Sequence, residues 1–313
     1  MRRVALAVSA VLAIAAPAVA AERPSQLIVF GDSLVDAGNL TALVGGDQFN
    51  PRSEGYYKGR FTNGPDFTDL LNANFFGRYQ SPAFAGTGTN YAIGGARVVD
   101  TGDFVPDLTA QLGFYLGTRA VDPNALYVLN FGGNDVFGLQ SGDIGSFTPQ
   151  AYAAALVGTV TGAVQQLSTL GASRILVMGI PNTTPVGFGL EGQLQAGLDA
   201  IEPGLGNTTL LRYSYLSFFT RLAADPAAFG VAPFTQAGNC FDVRDPVGGS
   251  IDCSGFTTVD GIHPTAQIQA ALYRDVLSEI GLAAVPEPAS WMLMITGFGM
   301  AGVAMRRRVR RAT

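Results

Sequence analysis

Three short apolar runs, residues 26–30, 126–131 and 174–178, each end in a glycine-containing or polar turn, and this repeated order constrains the fold most. The runs are rich in Leu, Ile and Val and are bounded by Gly, Pro or Asn, as buried strands are. Between and after them lie helical segments at 65–74, 106–116, 149–170 and 264–280, starting at Pro65, Pro106, Pro149 and Pro264. Proline suits the first turn of a helix, where its missing N–H has no partner to lose. Strands alternating with helices predict an α/β fold, a parallel sheet covered on both faces. A length of 313 residues fits one large domain of this class with processed ends. The stretch 187–207 is glycine-rich and weak in apolar pattern, and reads as a mobile surface excursion near the site.

In open α/β sheets, sites form where loops leave the carboxyl ends of strands. The turns after the three runs are Gly31-Asp32-Ser33, Gly132-Gly133-Asn134-Asp135 and Gly179-Ile180-Pro181-Asn182. Ser33 is therefore placed to present its hydroxyl to an open surface. A serine hydroxyl is a weak nucleophile until a neighbouring base takes its proton, and imidazole suits that task at neutral pH. The chain has a single histidine, His263, in Asp260-Gly261-Ile262-His263-Pro264. Asp260, three residues earlier, can share a loop with it and orient the ring, which completes a candidate Ser33-His263-Asp260 triad. A lone histidine is more often structural, but this context favours the base. The Gly-x-Ser-x-Gly elbow of α/β-hydrolases is absent, because Val35 stands where the second glycine would be.

Both ends carry export features. Met1-Arg2-Arg3, an apolar run over 4–16 and the small residues Ala18-Val19-Ala20-Ala21 read as a secretory signal, with cleavage expected after Ala20 or Ala21. The run is short for a membrane span of roughly 20 residues, although an uncleaved anchor stays open. At the other end, Val285-Pro286-Glu287-Pro288-Ala289-Ser290 precedes an apolar stretch over 291–305 and an arginine-rich tail. That order resembles the PEP-CTERM sorting signals of exported Gram-negative bacterial proteins. The resemblance implies transient anchoring in the inner membrane through 291–305, cleavage by an exosortase-type protease, and delivery to the periplasm, cell surface or medium. A permanent tail anchor is the alternative. The expected division is a signal peptide at 1–21, removed by signal peptidase, a hydrolase domain at 22–284 and a sorting segment at 285–313.

The leader takes Arg2 and Arg3 and the tail takes five arginines and Glu287, so the body keeps 12 basic and 23 acidic residues, a net charge of −11. Such a body argues against nucleic acid as a partner. Cys240 and Cys253 would sit in an oxidising compartment after export, and a disulfide is expected between them. Metal ligation is the rival reading, and two cysteines with one histidine make a thin ligand set.

The ordered blocks Phe30-Gly31-Asp32-Ser33-Leu34, Gly59-Arg60-Phe61-Thr62-Asn63-Gly64, Asn90-Tyr91-Ala92-Ile93-Gly94-Gly95-Ala96, Asn134 and Asp260 to His263 resemble the GDSL, or SGNH, hydrolases. The likeness covers nearly the whole mature chain and points to the lipase-like branch. It implies a three-layer α/β/α sandwich of flavodoxin-like type and carboxylic ester hydrolysis without a cofactor or metal. It further implies an oxyanion hole made by the Ser33 N–H, the Gly95 N–H and the Asn134 side-chain amide, with Gly94 as the alternative to Gly95. Asp32 and Asp135 read as partners of nearby backbone. The substrate class is acyl esters, of lipid or of acylated glycan. Two other classes stay open: a silent glycan- or matrix-binding surface protein on the same fold, and a glycosidase using carboxylates such as Asp36, Asp135 or Asp260.

Overall fold

The computed structural model describes residues 23–282 apart from 85, 248 and 249, so the expected signal and sorting segments lie outside the described residues. Four parallel strands, β1 (Leu27–Gly31), β2 (Leu126–Asn130), β3 (Arg174–Met178) and β4 (Thr209–Tyr213), pair in that spatial order. Val29 lies opposite Val128, and Leu176 lies between Val128 and Leu211. Residues 90–93 run parallel along the free edge of β1: Tyr91 N–H donates to Val29 O at 2.7 Å and Ile93 N–H to Gly31 O at 3.0 Å. Counting that segment as the second strand gives the flavodoxin order 2-1-3-4-5, whose site lies at the carboxyl ends where the order reverses.

The helices are α1 (Asn39–Val44), α2 (Phe67–Phe76), α3 (Leu108–Thr118), α4 (Gly133–Ser141), α5 (Pro149–Thr169), α6 (Pro185–Ile201), α7 (Tyr215–Ala224), α8 (Cys240–Val243) and α9 (Ala266–Glu279). Side chains alternate across a strand, so each apolar run feeds two cores. Ile28, Phe30, Tyr127, Leu129, Ile175 and Val177 pack with α3, α5 and α6 through Leu112, Tyr115, Leu156 and Leu194. Leu27, Val29, Leu126, Val128, Leu176 and Met178 pack with α2, α7 and α9 through Phe67, Leu71, Phe218 and Leu272. The result is the three-layer sandwich. Among the described residues no helix is long and apolar enough to cross a membrane, and the expected span 291–305 falls outside them.

Two local expectations are corrected. Proline occupies the first turn of α5, where Thr148 Oγ1 accepts from Ala151 N–H, but Pro65, Pro106 and Pro264 stand one residue before the caps Asp66, Asp107 and Thr265. At α2 the cap side chain accounts for this, since Asp66 accepts from Thr68 and Asp69 N–H, whereas Asp107 and Thr265 make no side-chain cap bond. The stretch 187–207 is not an excursion: most of it is α6, less its first two residues, and the short 3₁₀ extension that follows. Leu190, Leu194 and Leu198 form a buried stripe at four-residue spacing. Gly197 faces α5, where a Cβ would come within 2.4 Å of Val157 Cγ1, so that glycine permits close helix approach rather than flexibility.

Candidate active site

Ser33 follows β1 directly, in a loop held by Asp32 Oδ1, which accepts from Leu34 N–H at 3.0 Å and Asn130 Nδ2 at 3.3 Å. Its Oγ lies 2.8 Å from His263 Nε2, and His263 Nδ1 lies 2.6 Å from Asp260 Oδ2. The other oxygen of Asp260 accepts from the N–H groups of Ile262 and His263 at 3.0 and 2.8 Å, closing a tight turn that presents the ring. Burial alone pushes Asp260 up, yet its bonds to His263 and to Tyr56 hold it well below the usual carboxylate range, so it is charged at neutral pH.

The block 59–64 carries the wall behind the imidazole. Phe61 lies 5.1 Å from the His263 ring centroid, Thr62 Oγ1 donates to Pro264 O at 2.9 Å, and Asn63 Oδ1 accepts from Ala266 N–H at 2.8 Å. The block is itself anchored by Arg60, whose guanidinium meets the fully buried Asp69 twice, at 2.8 and 2.9 Å. Tyr56, which no motif singled out, donates to Asp260 Oδ2 at 2.7 Å. Its partner is remote in sequence, so only the fold brings this contact to light.

Gly94 and Gly95 end the edge segment 90–93 and differ in what their amides do. Gly94 N–H donates to Asp36 Oδ2 at 2.8 Å, whereas neither the Gly95 nor the Ser33 N–H meets a protein acceptor among the described residues. Gly95 adopts φ +90°, and a Cβ on Gly94 would come within 2.5 Å of the Phe61 ring. Asn134 lies in the first turn of α4 and donates one amide hydrogen to Ala96 O at 2.9 Å, and the second meets no acceptor among the described residues. Ser33, Gly94, Gly95, Asn134 and His263 all border one cavity of about 930 Å³. Leu34, Phe219, Leu222, Phe234 and Ile268 give it an apolar lining that includes residues of α7 and α9, and Phe49, Phe104 and Phe137, all exposed, line it as well.

The carboxylates of Asp36, Asp135 and Asp32 each accept hydrogen bonds from nearby groups. Asp36 is buried and accepts from Gly38, Asn39, Leu40 and Gly94 N–H; burial pushes it up to about 6 against these bonds. Asp135 accepts from Val98 and Val99 N–H and from Tyr152 OH, and burial raises it. Burial likewise pushes Asp32 up to about 7. Neither Asp36 nor Asp135 borders the cavity, so the carboxylate pair of a glycosidase is not assembled there. Among the described residues no cluster of three His, Cys, Asp or Glu side chains is placed to hold a metal ion. Cys240 and Cys253 are joined in a disulfide.

Residues 284–308 match the PEP-CTERM protein-sorting motif. A GDSL esterase/lipase of Arabidopsis thaliana is 24% identical over 88% of this chain and 90% of the relative. The phosphatidylcholine-sterol acyltransferase of Aeromonas hydrophila is 25% identical over 50% of this chain and 45% of its own length. A solved carbohydrate esterase superposes with a TM-score of 0.48 at 15% identity, covering 85% of this chain and 67% of the other. Residues 27–276, which contain the whole sheet and both loops of the Ser33–His263 contact, match the GDSL-like Lipase/Acylhydrolase family, and the chain belongs to it.

Proposed function

We propose that this chain is an exported serine esterase that hydrolyses carboxylic esters with apolar acyl chains, using Ser33 as nucleophile, His263 as base and Asp260 as the carboxylate that orients the ring. The observation that carries this reading is the contact of 2.8 Å between Ser33 Oγ and His263 Nε2, backed by Asp260 at 2.6 Å and open to the cavity. Ser33 Oγ attacks the ester carbonyl carbon while its proton passes to Nε2. Asp260 stabilises the imidazolium that forms. Charge developing on the carbonyl oxygen is met by the Ser33 and Gly95 N–H groups and the second Asn134 amide hydrogen. The imidazolium returns its proton to the departing alcohol, and water, deprotonated by His263, then releases the acyl group from Ser33.

The apolar lining formed by Leu34, Phe219, Leu222, Phe234 and Ile268 favours a hydrocarbon acyl chain over acetyl, since burying each CH₂ contributes about 0.8 kcal/mol. The sorting motif fits an exported, cell-surface route, with removal of 1–21 by signal peptidase and exosortase processing near Pro286 to leave a hydrolase domain over 22–284. Hydrolysis of p-nitrophenyl esters from acetate to palmitate tests the substrate class. kcat/KM is expected to rise from acetate to octanoate and beyond, and a maximum at acetate would overturn the apolar-acyl assignment. No hydrolysis of any member would favour the silent surface binder.

A further inference from the structure

Tyr56 contacts the candidate triad from a segment outside the loop that carries it. Its phenol donates to Asp260 Oδ2, the same oxygen that faces His263 Nδ1. The ring is 8% exposed and is held on two sides. Phe241 packs edge-on at 4.7 Å between centroids and Phe61 at 6.2 Å, and Phe61 in turn lies against the imidazole. Phe241 follows Cys240, whose disulfide to Cys253 closes the loop. Beside Tyr56, Gly55 leaves no room for a side chain, because a Cβ there would come within 2.9 Å of both Phe241 and Ile251. Burial first, then the adjoining Asp260 carboxylate, push the phenol well above its ordinary range, so it remains an O–H donor at working pH.

We propose that Tyr56 is a positioning residue of the hydrolase: its hydroxyl holds the Asp260 carboxylate where Oδ2 meets His263 Nδ1, and the disulfide loop holds Tyr56 through Phe241. This rests on the Ser33-His263-Asp260 reading. The two backbone bonds to Asp260 Oδ1 come from the 260–263 turn itself and move with it. The phenol comes from the 51–57 segment and so references the carboxylate to the rest of the domain. It also disperses charge on Oδ2, and its loss concentrates that charge and strengthens the pull on a protonated imidazole. The titratable groups bearing on the pair are Tyr56 and Glu54 from the 51–57 segment, Asp260 and His263 from the turn, and Ser33 from the β1 loop. Phe61 and Phe241 add packing without charge.

Tyr56→Phe keeps the ring and its packing and removes only the oxygen. In the mature protein, kcat is expected to fall about 10-fold with KM within twofold, since the bond acts on orientation of the base and not on substrate binding. The acidic limb of the pH–rate profile is expected to move up by roughly half a pH unit. Wild-type kcat with an unmoved limb, or a loss that merely tracks the folded fraction, overturns the proposal. Ser33→Ala, measured alongside, separates the two levels. If it stays active, the triad falls and Tyr56 with it; if it is dead while Tyr56→Phe behaves as wild type, only the role of Tyr56 falls.

Discussion

At Gly94 and Gly95 two neighbouring residues of one type carry different burdens, and the difference is in what each amide and each missing Cβ does. The Gly94 amide is spent on Asp36 and its Cα faces Phe61, so it holds the wall behind the imidazole. The Gly95 amide meets no acceptor among the described residues and its backbone sits at φ +90°, where a Cβ costs roughly 1–2 kcal/mol. Gly95→Ala is therefore expected to shift that amide and lower kcat by about 10-fold or more, at a stability cost of about 1–2 kcal/mol. Gly94→Ala is expected to cost about 1–3 kcal/mol by overpacking against Phe61. Steady-state kinetics with thermal melts check both, and a fully active Gly95→Ala enzyme would remove Gly95 from the oxyanion hole. Ser33, Asp260, His263 and Asn134 can be picked out as candidates from the sequence because each lies in a short local motif. Tyr56 and Asp36 are not legible in this way, because what gives each its place is a partner in a distant segment, Asp260 in one case and Gly94 in the other.

Elements were legible where burial is complete and local. β1, β2 and β3 are apolar almost throughout, since both faces are covered by helices, and continuous apolar runs are easily read. β4 lies at the edge of the sheet with Thr209 exposed and Arg212 half-buried, so its five residues, Thr-Leu-Leu-Arg-Tyr, give a weak strand signal. Arg212 instead reaches Asp199 and Glu202, tying the edge strand to the end of α6. α6 was misread because five of its positions from 187 to 197 are glycine or alanine, residues that obscure a leucine stripe. Glycine in a helix costs about 1 kcal/mol against alanine, and two close approaches explain why it is kept there: a Cβ would come within 2.4 Å of Val157 at Gly197 and within 2.2 Å of Asn182 O at Gly187. Segment 90–93 has a similar history. Its motif is plain in the sequence, yet its role as a partner of β1 emerges only from hydrogen bonds to Val29 and Gly31, which carry Gly94 and Gly95 to the same edge as Ser33.

Across the whole molecule, acidic residues are buried as well as exposed, and this sets an unusual pH response. Burial pushes Asp32, Asp66 and Asp107 up to about 7 and Asp36 up to about 6. Asp66 and Asp107 each leave one buried carboxyl oxygen without a partner, which costs least in the protonated state. A carboxyl whose folded pKa is raised contributes stability that is fully present below its unfolded value near 3.8 and is lost as pH rises through 6 to 7. Asp260, Asp122 and Asp252 are lowered and act in the opposite sense, but only as pH falls below about 4. Thermal melts are thus expected to give a Tm about 3 °C or more higher at pH 5.5 than at pH 8. A flat or reversed trend would contradict the burial of these carboxyls. The net charge of residues 22–284 gives the sign of the surface, whereas which aspartates are buried depends on the fold alone.

The most direct test of the central claim is covalent labelling of the mature protein with a fluorophosphonate, followed by mass mapping. Ser33 Oγ is expected to displace fluoride at phosphorus and to carry the adduct, with labelling slowed about 10³-fold or more in His263→Ala. An adduct on another serine, or rapid labelling of Ser33 without His263, would contradict the account.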